Sequence, residues 1–261
     1  MISTPVTVAL VAADFGLMAL LLGAIAYVAM AERREANNPG GPVFVFAGLI
    51  VVAWFTAVFL LAHNGAFATN PDTTFPPLVG FSILAPVIWG TVVLLALPGF
   101  RPRLARIPLH WLVGVQFYRV AGVLFLIAYF QDDLPAEFAL PAGIGDMLVG
   151  LAAPFVALKL ARQGPQRAGR AVLAWCALGI GDLVVAVTCG FLSAPSVFQQ
   201  LALDAPNYAI TRYPFVLIPA FAVPASVLLH IYVISRVAAI LAASRNSEPS
   251  SPRSPHRLTT T

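Results

Sequence analysis

Residues 140–192 read LPAGIGDMLVGLAAPFVALKLARQGPQRAGRAVLAWCALGIGDLVVAVTCGFL. Two apolar runs, 140–157 and 171–192, flank a basic segment carrying Lys159, Arg162, Arg167 and Arg170. Each run contains Gly-Ile-Gly-Asp, as Gly143-Ile144-Gly145-Asp146 and Gly179-Ile180-Gly181-Asp182. As helices, runs of this length can cross roughly 30 Å of hydrocarbon. Upstream, the apolar run 110–130 carries Gln116 and Arg119. An ionised group at a helix centre costs roughly 2.5 to 3.5 kcal/mol on the insertion scale, so Arg119, Asp146 and Asp182 are expected to face one another rather than lipid.

Composition agrees with that reading. Of 261 residues, 59% are hydrophobic and 10% charged, and the mean hydropathy is +0.87. A soluble domain carries roughly 25% charge, so the expected fold class is all-α, a polytopic membrane bundle. The net charge of +4 is scattered over loops, as orientation signals are, and gives no patch for nucleic acid. Cys176 and Cys189, thirteen residues apart on one run, would be roughly 20 Å apart in a helix and cannot bridge. The excess of arginine over lysine, with abundant alanine, suggests a GC-rich bacterial genome.

Outward from the central stretch, seven helices are expected at 6–30, 43–62, 78–97, 110–130, 140–157, 171–192 and 213–235, forming one domain over 1–241. The first run lacks the basic start of a cleavable signal and is read as a retained helix. The segment Asn37-Asn38-Pro39-Gly40-Gly41-Pro42 breaks the chain before the second. Pro86 should kink the third helix, and Pro214, Pro219 and Pro224 should bend the seventh near its middle. Residues 193–212 form the longest outer connection, where 196–203 could make a short interfacial helix with Val197, Phe198 and Leu201 on one face. Residues 242–261, rich in Ser, Pro and Arg, are expected to be a disordered cytoplasmic tail.

Basic residues lie between helices one and two, three and four, five and six, and after seven; Arg119 and Arg212 alone fall elsewhere. The positive-inside rule then places the N-terminus outside and the C-terminus in the cytoplasm, in a bacterial cytoplasmic membrane. The outer loops carry Asp72, Asp132, Asp133, Glu137 and Asp204, a face that mildly favours cations.

Helical spacing puts Gln116 and Gly122 on the Arg119 face, Gly143 and Gly150 on the Asp146 face, and Gly179 on the Asp182 face. At 1.5 Å per residue the two aspartates differ in depth by about 5 Å, within reach of one arginine. The four glycines should let helix backbones approach closely. Asp14, at comparable depth on the first helix, could complete the cluster or line a separate wet cavity. His63 and His110 sit at helix ends, whereas His230 is buried and is a possible secondary member of the site. Two axial haem ligands must face each other at similar depth, which only His110 with His230 could do; the tryptophans suggest no cofactor box, and no metal motif or cofactor is expected.

Seven helices with an outside N-terminus resemble the microbial rhodopsins, whose retinal needs a lysine on the seventh helix. The single lysine here, Lys159, ends the fifth. The repeated tetrapeptides around Asp146 and Asp182 resemble the Gly-x-Gly-Asp motif of intramembrane aspartyl proteases, which implies two aspartates that activate a water. The likeness covers four residues at each place. No Pro-Ala-Leu follows Asp182, and a neighbouring arginine would hold both carboxylates ionised, whereas an aspartyl dyad shares a proton. The expected role is therefore binding or moving a small solute or proton, at a site between helices four, five and six open to the outer face. Asp146 or Asp182 would titrate beside Arg119. An accessory or assembly subunit without chemistry is the alternative, ahead of the protease. No phosphate loop or zinc motif points to a soluble enzyme.

Overall fold

The computed structural model describes residues 3–34, 41–74, 77–97 and 99–246. Among them are helices and no strand: α1 (Thr4–Arg34), α2 (Gly41–His63), α3 (Pro77–Ala96), the short α4 (Phe100–Leu104), α5 (Leu109–Phe130), α6 (Ala136–Ser193) and α7 (Val223–Asn246). Six helices are long and apolar enough to cross a membrane, namely all but α4, with the turn Ile218–Ala222 leading the last. The protein is thus an apolar helical bundle of the multi-pass membrane type.

The expected fifth and sixth helices are the two arms of α6. Gly164 breaks it, at φ 73° and ψ 166°, a left-handed φ that glycine adopts without strain. Pro165 follows and offers no backbone donor. The arms return antiparallel: the Trp175 indole N–H donates to Val149 O at 3.1 Å, and Gly190 faces the Phe138 ring. Both arms run through the expected basic loop, whose Ala, Leu, Lys, Gln and Arg residues are good helix formers.

α5 spans the expected fourth helix, but its middle, Val115–Gly122, winds as a 3-10 helix. The seventh differs more. Residues 213–216 are turns, Ile218–Ala222 is a π turn around Pro219, and regular helix runs from Val223 to Asn246. The helix is thus irregular where the prolines fall: Pro214 lies in the turns before it, Pro219 in the π turn, and Pro224 directly after that turn, since an interior proline removes a backbone donor. Residues 242–246 of the expected tail are helical, and 247–261 lie outside the described residues, as do 37–40 of the expected break. Residues 196–203 form no helix. Their backbone instead bonds to the rim, with Gln200 N and Leu201 N donating to Leu192 O at 2.8 and 2.9 Å and Val197 N to Thr73 O at 3.1 Å.

Contacts sort the connections onto two ends. At one, the Ser3 hydroxyl donates to Gln131 Oε1 at 3.0 Å, the Thr69 and Thr211 hydroxyls meet at 3.3 Å, and the 194–212 loop closes over the bundle. At the other, buried Glu32 pairs with Arg106 at 2.8 Å and Arg103 at 3.5 Å, and Arg236 donates to Ile107 O at 2.7 Å. Three apolar clusters fill the interior: one toward each end, around Val113, Val172 and Val237 and around Phe125, Phe138 and Phe215, and a third around Phe55 and Phe221. The polar residues described next lie between them.

Candidate functional site

In a 3-10 helix, side chains three apart eclipse. The segment Val115–Gly122 therefore stacks Gln116, Arg119 and Gly122 in one inward column, and all three are buried. Glycines bring α6 against that column. A Cβ on Gly150 would lie 2.7 Å from Val120 N, and one on Gly143 would lie 3.0 Å from Gly122 O. Gly122 faces the Asp146 Cβ. Backbone-to-backbone approach of this kind needs hydrogen at those positions.

Arg119 sits at the centre. Its Nε donates to Asp146 Oδ1 at 2.7 Å, its Nη2 donates to Asp182 Oδ2, and its Nη1 donates to Gly179 O at 3.3 Å. The same Nη1 lies 3.3 Å from His230 Nε2. A guanidinium only donates, so Nε2 is the acceptor and the His230 ring is neutral with its hydrogen on Nδ1. That Nδ1 is buried with no hydrogen-bond partner, and the ring packs on Trp175 with centroids 4.9 Å apart. Gly179 leaves room for the ring, since a side chain there would occupy the imidazole.

The two Gly-Ile-Gly-Asp tetrapeptides are not equivalent. Gly145 lies against the Asp182 carboxylate, so no side chain fits there, whereas nothing stands within 4 Å of where a Gly181 Cβ would be. Arg119 separates the two carboxylates and binds each through a different nitrogen.

A second layer comes from Ile218–Ala222 and α7. Gln116 Nε2 donates to Ser226 O at 3.2 Å, and the Ser226 hydroxyl donates back to Gln116 Oε1 at 3.3 Å. The Tyr118 hydroxyl donates to Ala222 O at 3.1 Å and touches Ser226 Oγ. Tyr118, Ser226 and Gly145 were not anticipated from sequence. Ser226, four residues before His230 and hence on the same helix face, was the available signal.

Asp14 lies on the buried stripe of α1 with Leu10 and Leu17. It is 2% exposed, and among the described residues it forms no ion pair with Arg119. It lines instead a cavity of about 40 Å³ with Tyr118, Arg119, Asp146 and Ser226. A larger cavity of about 350 Å³ runs from Asp146 to the rim residues Thr69, Ser196 and Thr211. Its walls include Phe125, Phe138 and Phe191, and among the described residues Asp146 is its one ionisable lining residue.

Asp146 Oδ1 is engaged by Arg119, and Oδ2 accepts no hydrogen bond among the described residues. The arrangement can therefore present one carboxylate oxygen to a molecule in the larger cavity, with a guanidinium holding the carboxylate in place.

Residues 76–238 match a family described as Domain of unknown function (DUF8737). The match contains Arg119, Asp146, Asp182, Ser226 and His230 and leaves out Asp14. No curated protein and no solved structure matches the chain.

Proposed function

The chain belongs to the DUF8737 family, and on the geometry of its buried site we propose that it binds, and passes across a bacterial cytoplasmic membrane, a small apolar solute with a cationic end. α6 crosses twice, by way of its break at Gly164, so the chain makes seven crossings with the N-terminus outside and the C-terminus in the cytoplasm. The gathering of the basic residues Arg103, Arg106 and Arg236 at one end supports this orientation.

The observation that carries the reading is the cavity of about 350 Å³ whose one ionisable lining residue, among the described residues, is Asp146. Its size lies within the roughly 300 to 1,000 Å³ of small-molecule sites, and apolar walls with one polar group are what such sites present. Asp146 and Asp182 outnumber the Arg119 charge between them, so the site favours a cation over an anion. The geometry favours this use over an aspartyl dyad, because Arg119 stands between two carboxylates that would have to share a proton.

Thermal denaturation of the full chain in detergent, with short alkylamines against alcohols and carboxylates of equal length, tests the proposal. Amines raise the melting temperature; Asp146→Asn and the cavity-filling Ala186→Trp each remove the shift. An amine effect that persists in Asp146→Asn, or no effect of any amine on the wild type, overturns it.

A further inference from the structure

We infer that the smaller cavity beneath Asp14 is a binding site for a sodium-sized monovalent cation. This does not rest on the solute reading: Asp146 lines both cavities, but the cation site turns on Asp14, which lines the smaller one.

Asp14 is 2% exposed, and its Oδ2 is buried without a hydrogen-bond partner. A carboxylate in that condition is costly unless something neutralises or bonds it. The cavity it lines, about 40 Å³, has as its other polar neighbours Tyr118, Arg119, Asp146 and Ser226. Each hydroxyl has one hydrogen to give. That of Tyr118 is within reach of Ala222 O and that of Ser226 of Gln116 Oε1. In the contact between the two hydroxyls one donates to the other, and the remaining hydrogen has Ala222 O or Gln116 Oε1 as its acceptor. Arg119, the one cation on the lining, is committed to Asp146, Asp182 and Gly179.

The cavity therefore presents lone pairs from two carboxylates and two hydroxyls. An occupant that supplies positive charge and accepts oxygen ligands completes it. At roughly 10 to 15 Å³ per water-sized occupant, there is room for an ion with one or two waters.

The backbone fits the same chemistry. Asp14 shares its cavity with Arg119 and Gly122 of the 3-10 segment Val115–Gly122 and with Ile218 and Ala222 of the π turn Ile218–Ala222, the two places where helices depart from α geometry. In membrane transporters, sodium is coordinated where helix backbone departs from regular α geometry and lines a cavity. The described lining carries neither Cys nor His, so the donors it offers are oxygens, which suit a hard cation.

The test uses the full chain in detergent, with melting temperature and binding of radiolabelled sodium measured in sodium, potassium or choline chloride at equal ionic strength. Sodium is expected to raise the melting temperature by roughly 5 °C over choline as it saturates. Asp14→Asn, which keeps size and shape, abolishes both the shift and the bound label. Tyr118→Phe, which removes one oxygen, weakens sodium binding about tenfold. If the wild type binds no labelled sodium and shows no sodium-specific shift, the cavity holds water only and the inference fails. It fails equally if sodium binding survives unchanged in Asp14→Asn or in Tyr118→Phe.

Discussion

Replacing Arg119 by leucine removes the one cation that touches both Asp146 and Asp182. The guanidinium donates to each carboxylate and to Gly179 O. The Asp146 and Asp182 side chains are 13% and 11% exposed, so solvent offers little relief once their partner is gone. Breaking a buried pair by removing one member costs about 3 to 5 kcal/mol, because a charge is left uncompensated. For a chain of this size each kcal/mol moves the melting temperature by roughly 2 to 4 °C. Arg119→Leu in detergent should therefore melt roughly 6 to 20 °C below wild type and yield less monodisperse protein. Adding Asp146→Asn and Asp182→Asn leaves no stranded charge, and the triple variant should regain at least half of the lost temperature. The comparison is read by the fluorescence of Trp175, which packs on His230 beside the cluster. A single variant that melts within a few degrees of wild type, or a triple variant no better than the single, refutes the account of Arg119 as the charge that holds the cluster.

The other expectations are quickly checked. Gly145→Ala should lower the melting temperature sharply, because its methyl would occupy the Asp182 carboxylate, while Gly181→Ala, which meets open space, should be neutral or stabilising by up to about 1 kcal/mol. Equal effects of the two would contradict the asymmetry between the tetrapeptides. Glu32→Gln should cost about 1 to 3 kcal/mol, since it weakens pairing to both Arg103 and Arg106; an unchanged melting curve would remove that anchor from the fold. A reporter active only outside the cytoplasm should work when fused after Ala68 or Glu137 and stay silent after Arg103 or Gln166, and the reverse pattern would invert the proposed orientation.

What the chain reveals before folding is what lipid and backbone chemistry impose on any sequence. Apolar runs longer than a bilayer must be helices, because no water is present to satisfy their peptide groups. The runs around Arg119, Asp146 and Asp182 could therefore be read as helices, and the cost of burying three charges made their convergence an expectation. Helix spacing likewise put Gly122, Gly143 and Gly150 on faces where backbones meet. Local chemistry did not reveal where regular helix yields. The 3-10 segment of α5, the π turn before α7 and the return of α6 at Gly164 depend on what packs alongside. Nor could periodicity assign neighbours across the chain. His230 lies 111 residues from Arg119, yet its Nε2 faces the guanidinium, and Asp14 shares a cavity with Ser226 on a different helix. Side-chain direction around each helix is legible from a 3.6-residue repeat, but the partner it meets is decided by how the helices cross. That crossing is set by the summed packing of the whole bundle, which no single segment encodes.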